Sequence, residues 1–200
     1  MTGGRLILAS ASASRAAILD GAGLAVERIP AAVDEAEVKN AFAAEGRSPA
    51  DVALALAALK ARRVAQRNPD ALVIGADQML VCDGTWFDKP VDRAAARDQL
   101  LMLRGRVHEL LAAVCVVQGE TVIWEHLDRA RMTVRPFGEA FLDWYLDRAG
   151  DRICQSVGAY QLEGLGSHLF ARIEGDYFTI LGLPLLPLLD FLRGRGALPE

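Results

Sequence analysis

Lysine is nearly missing from this chain: only 3 of the 22 basic side chains are Lys, and 19 are Arg. Positive charge is not in excess either. The 26 acidic residues bring the formal net charge to -4 and the pI to about 5.5, so no global positive field exists to hold a nucleic-acid polymer. Cysteines number 3. Cys82, Cys115 and Cys154 are odd in number and far apart, which indicates neither a disulfide framework nor a zinc site. Their apolar neighbours suggest small hydrophobes. Long apolar runs are absent as well. The longest, Leu110 to Val117, has 8 residues, against the roughly 20 that a membrane helix needs. Near the start, Arg5-Leu-Ile-Leu-Ala9 is interrupted by Ser10 and Arg15 before a secretory apolar region of ~7–15 residues could form. No membrane partner and a cytoplasmic location are therefore expected. A glycine-rich loop ending in Gly-Lys-Ser/Thr is also lacking, which disfavours a P-loop NTPase.

What is present is the composition of a globular protein, 52% hydrophobic and 24% charged, without repeats or long Gly/Ser linkers. Its length suits one large domain or two small lobes. Strands are expected at Leu6–Ala9, 25–30, Leu72–Ile74 continued by Met79–Cys82, Leu110–Val117, Glu120–Val134, Leu169–Ile173 and Tyr177–Leu181. Helices are expected from Arg15 to Gly21, from Pro49 to about Asn68, from Asp92 to Leu103, over Glu139–Arg148 and over Leu185–Leu192. This interleaving predicts an α/β or α+β chain with a mixed sheet flanked by helices.

Several segments have the residue types that chemistry requires. Ser10-Ala-Ser12-Ala-Ser14-Arg15 leaves a strand and enters a helix. Small side chains and hydroxyls there suit an approaching anion, and Arg15 could clamp a phosphate bidentately. The same segment also fits an ordinary strand-to-helix turn. Asp77, after Val73-Ile-Gly-Ala76, is placed at or just past the end of a buried strand, either as a metal ligand or general base or as a turn residue. Glu35, in an acidic run after a strand, could join Asp77 in binding Mg²⁺, although such runs are commonly solvated faces. In an Arg-biased chain a surviving Lys marks a place where a compact ammonium is needed, as at a crowded phosphate. That singles out Lys60 and Lys89, while Lys39 reads as a surface residue. His108, His126 and His168 share no metal-ligand spacing. Gly158-Ala-Tyr-Gln-Leu-Glu-Gly-Leu-Gly166 is either a backbone-lined pocket for a planar ligand edge or a plain glycine-rich loop.

Taken in order, eight blocks resemble the Maf family of nucleoside triphosphate pyrophosphatases. They are Leu8-Ala-Ser-Ala-Ser-Ala-Ser-Arg15, Val33-Asp-Glu35, Leu59-Lys-Ala61, Ile74-Gly-Ala-Asp77, Asp88-Lys-Pro90, Leu103-Arg-Gly-Arg-Val-His108, Gly158 to Gly166 and Gly182-Leu-Pro-Leu185. The resemblance runs from Leu6 to about Leu192 and implies one Maf-like domain across residues 1–200. The implied fold is a two-lobed α/β architecture with a mixed sheet and a central cleft, similar to inosine triphosphate pyrophosphatases. The implied reaction is hydrolysis of a nucleoside triphosphate to the monophosphate and pyrophosphate, with a divalent metal (Mg or Mn) and usually in a homodimer. Carried over by position, Asp77 is the proton acceptor, Glu35 and Asp77 are the metal carboxylates, and Ser10, Arg15, Lys60 and Lys89 face phosphate. The family's other association, with septum formation, implies the alternative of a nucleotide-binding regulator of cell division. A nucleotidyl transferase using a non-water acceptor is a third reading.

Ala13 and Ser14 depart from the family pattern, which has Pro and Arg at those places. Ser14, Gln78 and Glu163 occupy the positions tied to substrate preference. The dTTP/UTP branch has Arg, Thr and Gln there, and the 7-methyl-GTP branch has Trp, Gln and Glu, so this chain resembles the second branch at two of three positions. Glu163 could accept hydrogen bonds from a purine edge and would favour a cationic methylated base, whereas the carbonyls of thymine or uracil suit a carboxylate less well.

Overall fold

The computed structural model describes residues 4–199. They divide into two compact units, and both units contain parts of the same long strands. One comprises the chain up to Gln78, Ala112–Asp128 and the chain from Tyr177 onward. The other comprises Met79–Leu111 and Arg129–Asp176. The strands are β1 (Leu6–Leu8), β2 (Val26–Arg28), β3 (Leu72–Cys82), β4 (Thr85–Phe87), β5 (Val107–Gln118), β6 (Thr121–Val134) and β7 (Phe170–Glu174). They form a mixed seven-stranded sheet in the order β2-β1-β3-β5-β6-β7, with β4 on β3. The helices are α1 (Ala13–Gly21), α2 (Glu35–Ala44), α3 (Pro49–Ala65), α4 (Arg93–Leu103), α5 (Glu139–Ala149), α6 (Tyr177–Ile180) and α7 (Leu185–Gly194). No helix among the described residues is long and apolar enough to cross a membrane.

In the first unit, β1 pairs in parallel with β2 on one side and with β3 on the other. A strand enclosed in this way has no solvent face, which is why its sequence is an uninterrupted apolar run. Leu6, Leu8, Leu72, Ile74, Val114 and Val116 build the core with Leu19 of α1 and with Leu185, Leu188 and Leu192 of α7. Helix α3 begins at a capping box in which Ser48 and Asp51 satisfy each other's orphan amides, with Pro49 opening the first turn. It buries Val52, Ala53, Leu56, Ala57, Lys60, Ala61 and Val64 along one face. Two of these are alanines for a steric reason. A Cβ on Gly75 of β3 would lie 2.1 Å from the Ala57 carbonyl oxygen and 2.8 Å from the Ala61 Cβ. Gly75→Ala is therefore expected to cost about 1–3 kcal/mol in urea unfolding, because the obstacle is backbone and no rotamer relieves it. An unchanged unfolding midpoint would show that α3 and β3 are not in such close contact.

Two expectations need correction here. Strand β3 is continuous from Leu72 to Cys82, so Asp77 lies in mid-strand and not at a strand end. Gly75, within it, marks a close helix approach. Residues 177–181 form no strand. Although Tyr177-Phe-Thr-Ile180 is aromatic and β-branched, it folds as α6, with Gly182 N donating to Thr179 O and Leu183 N to Phe178 O. Gly182 has φ +92°, which lets the chain close this helical turn. Helix α2 was not anticipated at all: it buries no residue and so has no apolar stripe.

In the second unit, Asp83 and Gly84 both take positive φ, 48° and 80°, as a two-residue hairpin turn between β3 and β4 requires. Asp92 caps α4 by accepting from Ala95 N at 2.8 Å. Arg97 pairs with Glu139 and Asp143, and Arg93 with Asp147, linking α4 to α5 on the surface. The cysteines are free and buried or half-buried, as expected of small hydrophobes. Burial pushes the Cys115 thiol up to about 12.

Candidate functional site

The close contact of α3 with β3 at Gly75 sets Lys60 beside Asp77. Lys60 Nζ donates to Asp77 Oδ1 at 2.6 Å and pairs with Glu35 Oε1 at 2.7 Å. One ammonium thus bridges two carboxylates of different exposure. The Asp77 side chain is 5% exposed and that of Glu35 45%. Glu35 is the first residue of α2, which Asp34 caps by accepting from Glu37 N. A carboxylate there is favoured by the helix N-terminus. Burial alone would raise the Glu35 pKa, but the charge and hydrogen bond of Lys60, with smaller contributions from Lys39 and Arg15, leave it below the usual carboxylate range.

Asp77 is unusual in what it leaves unused. Its Oδ2 is buried and has no hydrogen-bond partner among the described residues. A buried polar oxygen without a partner is costly inside a protein, so it marks a place where a water, a metal ion or a substrate proton would be held. Among the described residues no three His, Cys, Asp or Glu side chains gather into a metal-binding group. The donor set is the pair Glu35 and Asp77, which fits Mg²⁺ or Mn²⁺, since such ions take one or two carboxylates and complete their shell with water and phosphate oxygens.

Arg15 is more deeply engaged than a free phosphate clamp. Its Nε donates to Gly182 O at 2.8 Å, and its Nη1 donates to Ala76 O at 2.8 Å and to Ser10 Oγ at 3.1 Å. Burial lowers its pKa, while the charges of Asp77 and Glu35 work in the opposite direction. The guanidinium ties α1, β3 and the Gly182 turn together next to Asp77. Ser10 is buried and also accepts from Ser12 N at 3.2 Å. Ser14 is half-buried on the first turn of α1. Gln78 donates through Nε2 to Thr179 O at 3.1 Å and to Ile180 O at 3.0 Å. Glu35, Lys60 and Asp77 thus form one directly bonded group, with Ser10 and Arg15 a second group adjoining it in the same unit. Lys89 and Glu163 belong to the other unit and are exposed there, Lys89 after β4 and Glu163 within the Gly158–Gly166 segment.

The family model described as Maf-like protein matches residues 5–195. The chain belongs to the Maf-like family. Among curated Maf-like relatives, a "Nucleoside triphosphate pyrophosphatase" of Paramagnetospirillum magneticum is 59% identical over 192 residues, covering 96% of this chain and 99% of that one. A "7-methyl-GTP pyrophosphatase" of Rhizobium meliloti is 52% identical over 193 residues, covering 96% of this chain and 97% of that one. Among solved structures, a "Nucleoside-triphosphatase / dITP/XTP pyrophosphatase" from Mycobacterium abscessus aligns over 98% of each chain at 17% identity, with a TM-score of 0.46.

One polar pair of this Maf-like chain escaped the sequence reading. His108 Nε2 lies 2.7 Å from the Tyr160 hydroxyl, both side chains are buried, and His108 Nδ1 has no hydrogen-bond partner among the described residues. The two residues are 52 positions apart, so only their presence in two family blocks hinted at a connection. Burial pushes the imidazole down to about 4 from 6.5. The unfolded chain therefore takes up a proton near pH 6.5 that the folded chain refuses until about pH 4. Stability associated with His108 is complete above pH 6.5 and is lost across that window as pH falls, by up to about 3 kcal/mol. In urea unfolding, His108→Gln is expected to flatten the decline between pH 6.5 and 4. Parallel pH curves for the two proteins would rule this out.

Proposed function

We propose that this Maf-like chain hydrolyses a nucleoside triphosphate between the α- and β-phosphorus, releasing the monophosphate and pyrophosphate, with Mg²⁺ or Mn²⁺ held by Glu35 and Asp77. The observation that carries this reading is the buried, unpartnered Oδ2 of an aspartate whose other oxygen is fixed by Lys60. It is supported by relatives named nucleoside triphosphate pyrophosphatase at up to 59% identity over almost the whole chain. When bound, the metal would supply positive charge to the phosphate oxygens and lower the barrier to pyrophosphate departure.

The chain's own residues account for the rest. Lys60 holds Asp77 in one orientation through Oδ1, leaving Oδ2 to accept the proton of the attacking water. Glu35, kept anionic by Lys60, is open enough to solvent to meet an incoming cation. Arg15 and Ser10 add fixed positive charge and hydroxyl polarity near Asp77, and Lys89 is proposed to meet the outer phosphates. None of this requires a base other than Asp77.

For the substrate we propose a modified nucleotide, 7-methyl-GTP in the first instance, read through Glu163, Gln78 and Ser14. A carboxylate at 163 attracts a cationic, N–H-bearing purine edge and repels carbonyl oxygens. Glu163→Gln is accordingly expected to raise kcat/KM for dTTP and UTP relative to 7-methyl-GTP by about tenfold, the scale of one charged hydrogen bond. A panel of canonical and modified triphosphates assayed for pyrophosphate tests this, and an unchanged ranking removes Glu163 from base selection.

A further inference from the structure

The Gly158–Gly166 segment is held with more care than an exposed loop needs. At its start Gly158 has φ +76°, and a Cβ there would lie 2.6 Å from Leu80 Cδ1 and 2.8 Å from Tyr160 Cε1. The next residue, Ala159, is fully buried and has φ +59°. A left-handed alanine costs roughly 1–2 kcal/mol and persists only where its surroundings over-determine it. The surroundings here are two phenols. Tyr145 donates its hydroxyl to Ala159 O at 2.9 Å, and the Tyr160 hydroxyl lies 2.7 Å from His108 Nε2. Phe170 packs edge-on against Tyr160, with ring centroids 4.8 Å apart. At the far end, a Cβ on Gly166 would lie 2.4 Å from Gln161 O, so the segment folds tightly back on itself. Between these two fixed ends sits Glu163, exposed.

The polar pins are not needed for packing. Phenylalanine and leucine would fill the same volume without burying two hydroxyls and an imidazole, and without leaving His108 Nδ1 unpartnered. Apolar packing alone tolerates small displacements, whereas a hydrogen bond between two buried side chains fixes position to a few tenths of an ångström. Base discrimination by a single carboxylate has that same tolerance.

We infer that His108 and Tyr145 are positioning residues for substrate choice: acting through Tyr160 and Ala159, they fix the turn that presents Glu163 to the nucleobase. This rests on the proposed role of Glu163 in reading the base. His108 and Tyr160 share one buried hydrogen bond, and Tyr145 donates to a backbone carbonyl, so both act on the turn and not as acid or base in this proposal.

The test is the ratio of kcat/KM for 7-methyl-GTP to that for dTTP, with KM and kcat separated. Tyr160→Phe removes one oxygen atom and keeps the ring packing. It and His108→Leu are each expected to shrink the ratio about 5- to 10-fold, the worth of one buried hydrogen bond, through a higher KM for 7-methyl-GTP. His108→Gln, whose amide reaches the place of Nε2, is expected to restore the ratio to within about 2- to 3-fold of the parent, on the same hydrogen-bond scale. In a Glu163→Gln background, Tyr160→Phe is expected to change the ratio no further. A purely structural pin would reduce both substrates alike, and an unchanged ratio in Tyr160→Phe with a changed one in Glu163→Gln overturns the positioning role. An unchanged ratio in Glu163→Gln itself overturns the base reading and this inference with it. Should His108→Leu fail to fold, Tyr160→Phe and His108→Gln decide the matter without it.

Discussion

Asp77→Asn is expected to slow pyrophosphate release by about a thousandfold, within the range attributed to a positioned general base, while the protein stays folded. The substitution is nearly isosteric. The Asn Oδ1 still accepts from Lys60, and Lys60 keeps its partner Glu35. What is lost is the oxygen that has no partner among the described residues. An amide nitrogen in its place donates, so it can neither take a proton from water nor bind a cation. The loss should therefore fall on kcat, with KM changed far less. Steady-state release of pyrophosphate and thermal unfolding of the same preparation measure both halves. Activity within tenfold of the parent would mean that another group accepts the proton.

Lys60→Met should weaken the fold itself, by about 3–5 kcal/mol, because it leaves the buried Asp77 carboxylate without its counter-charge. A surface pair would not behave in this way. The ion pairs between α4 and α5 have their carboxylates more than half exposed, and breaking one of them should cost about 0–1 kcal/mol. The companion variant Lys60→Met/Asp77→Asn removes both charges, and most of the stability should return, with a positive coupling energy in the double-mutant cycle. Activity should not return with it. This separation of stability from turnover distinguishes a catalytic pair from a structural one. A Lys60→Met protein with the parent's urea midpoint would show that the lysine does not hold Asp77 in solution.

Much of this arrangement could be read from the chain, and for identifiable reasons. Two helix starts were recognisable, because Pro49-Ala-Asp51 and Asp92 state their chemistry locally. Lys60 stood out because ammonium is rare here, but the partner expected of it was a phosphate, and in the structure it is buried between the carboxylates of Glu35 and Asp77. Elsewhere distant parts of the chain decide. Two donors of Arg15 are taken by the carbonyls of Ala76 and Gly182, 61 and 167 positions away, which its local sequence does not show. Asp77 was expected at a strand end because nothing in the local sequence shows that Ala57 and Ala61 press against Gly75 while the strand runs on to Cys82. Helix α2, with every residue at least partly exposed, has no periodic signal to find. Tyr177-Phe-Thr-Ile180 has strand-forming residues, but the positive φ of Gly182 and the carbonyls of Thr179 and Phe178 close it as a helical turn.

The central claim is that water attacks the α-phosphorus of a nucleoside triphosphate at Asp77. Hydrolysis of 7-methyl-GTP with Mg²⁺ in ¹⁸O-labelled water, followed by ³¹P NMR and mass spectrometry of the products, tests it most directly. The account predicts one monophosphate and one pyrophosphate per turnover, with the label in the monophosphate and none in the pyrophosphate. Release of orthophosphate and a diphosphate, or label found in the pyrophosphate, would contradict it.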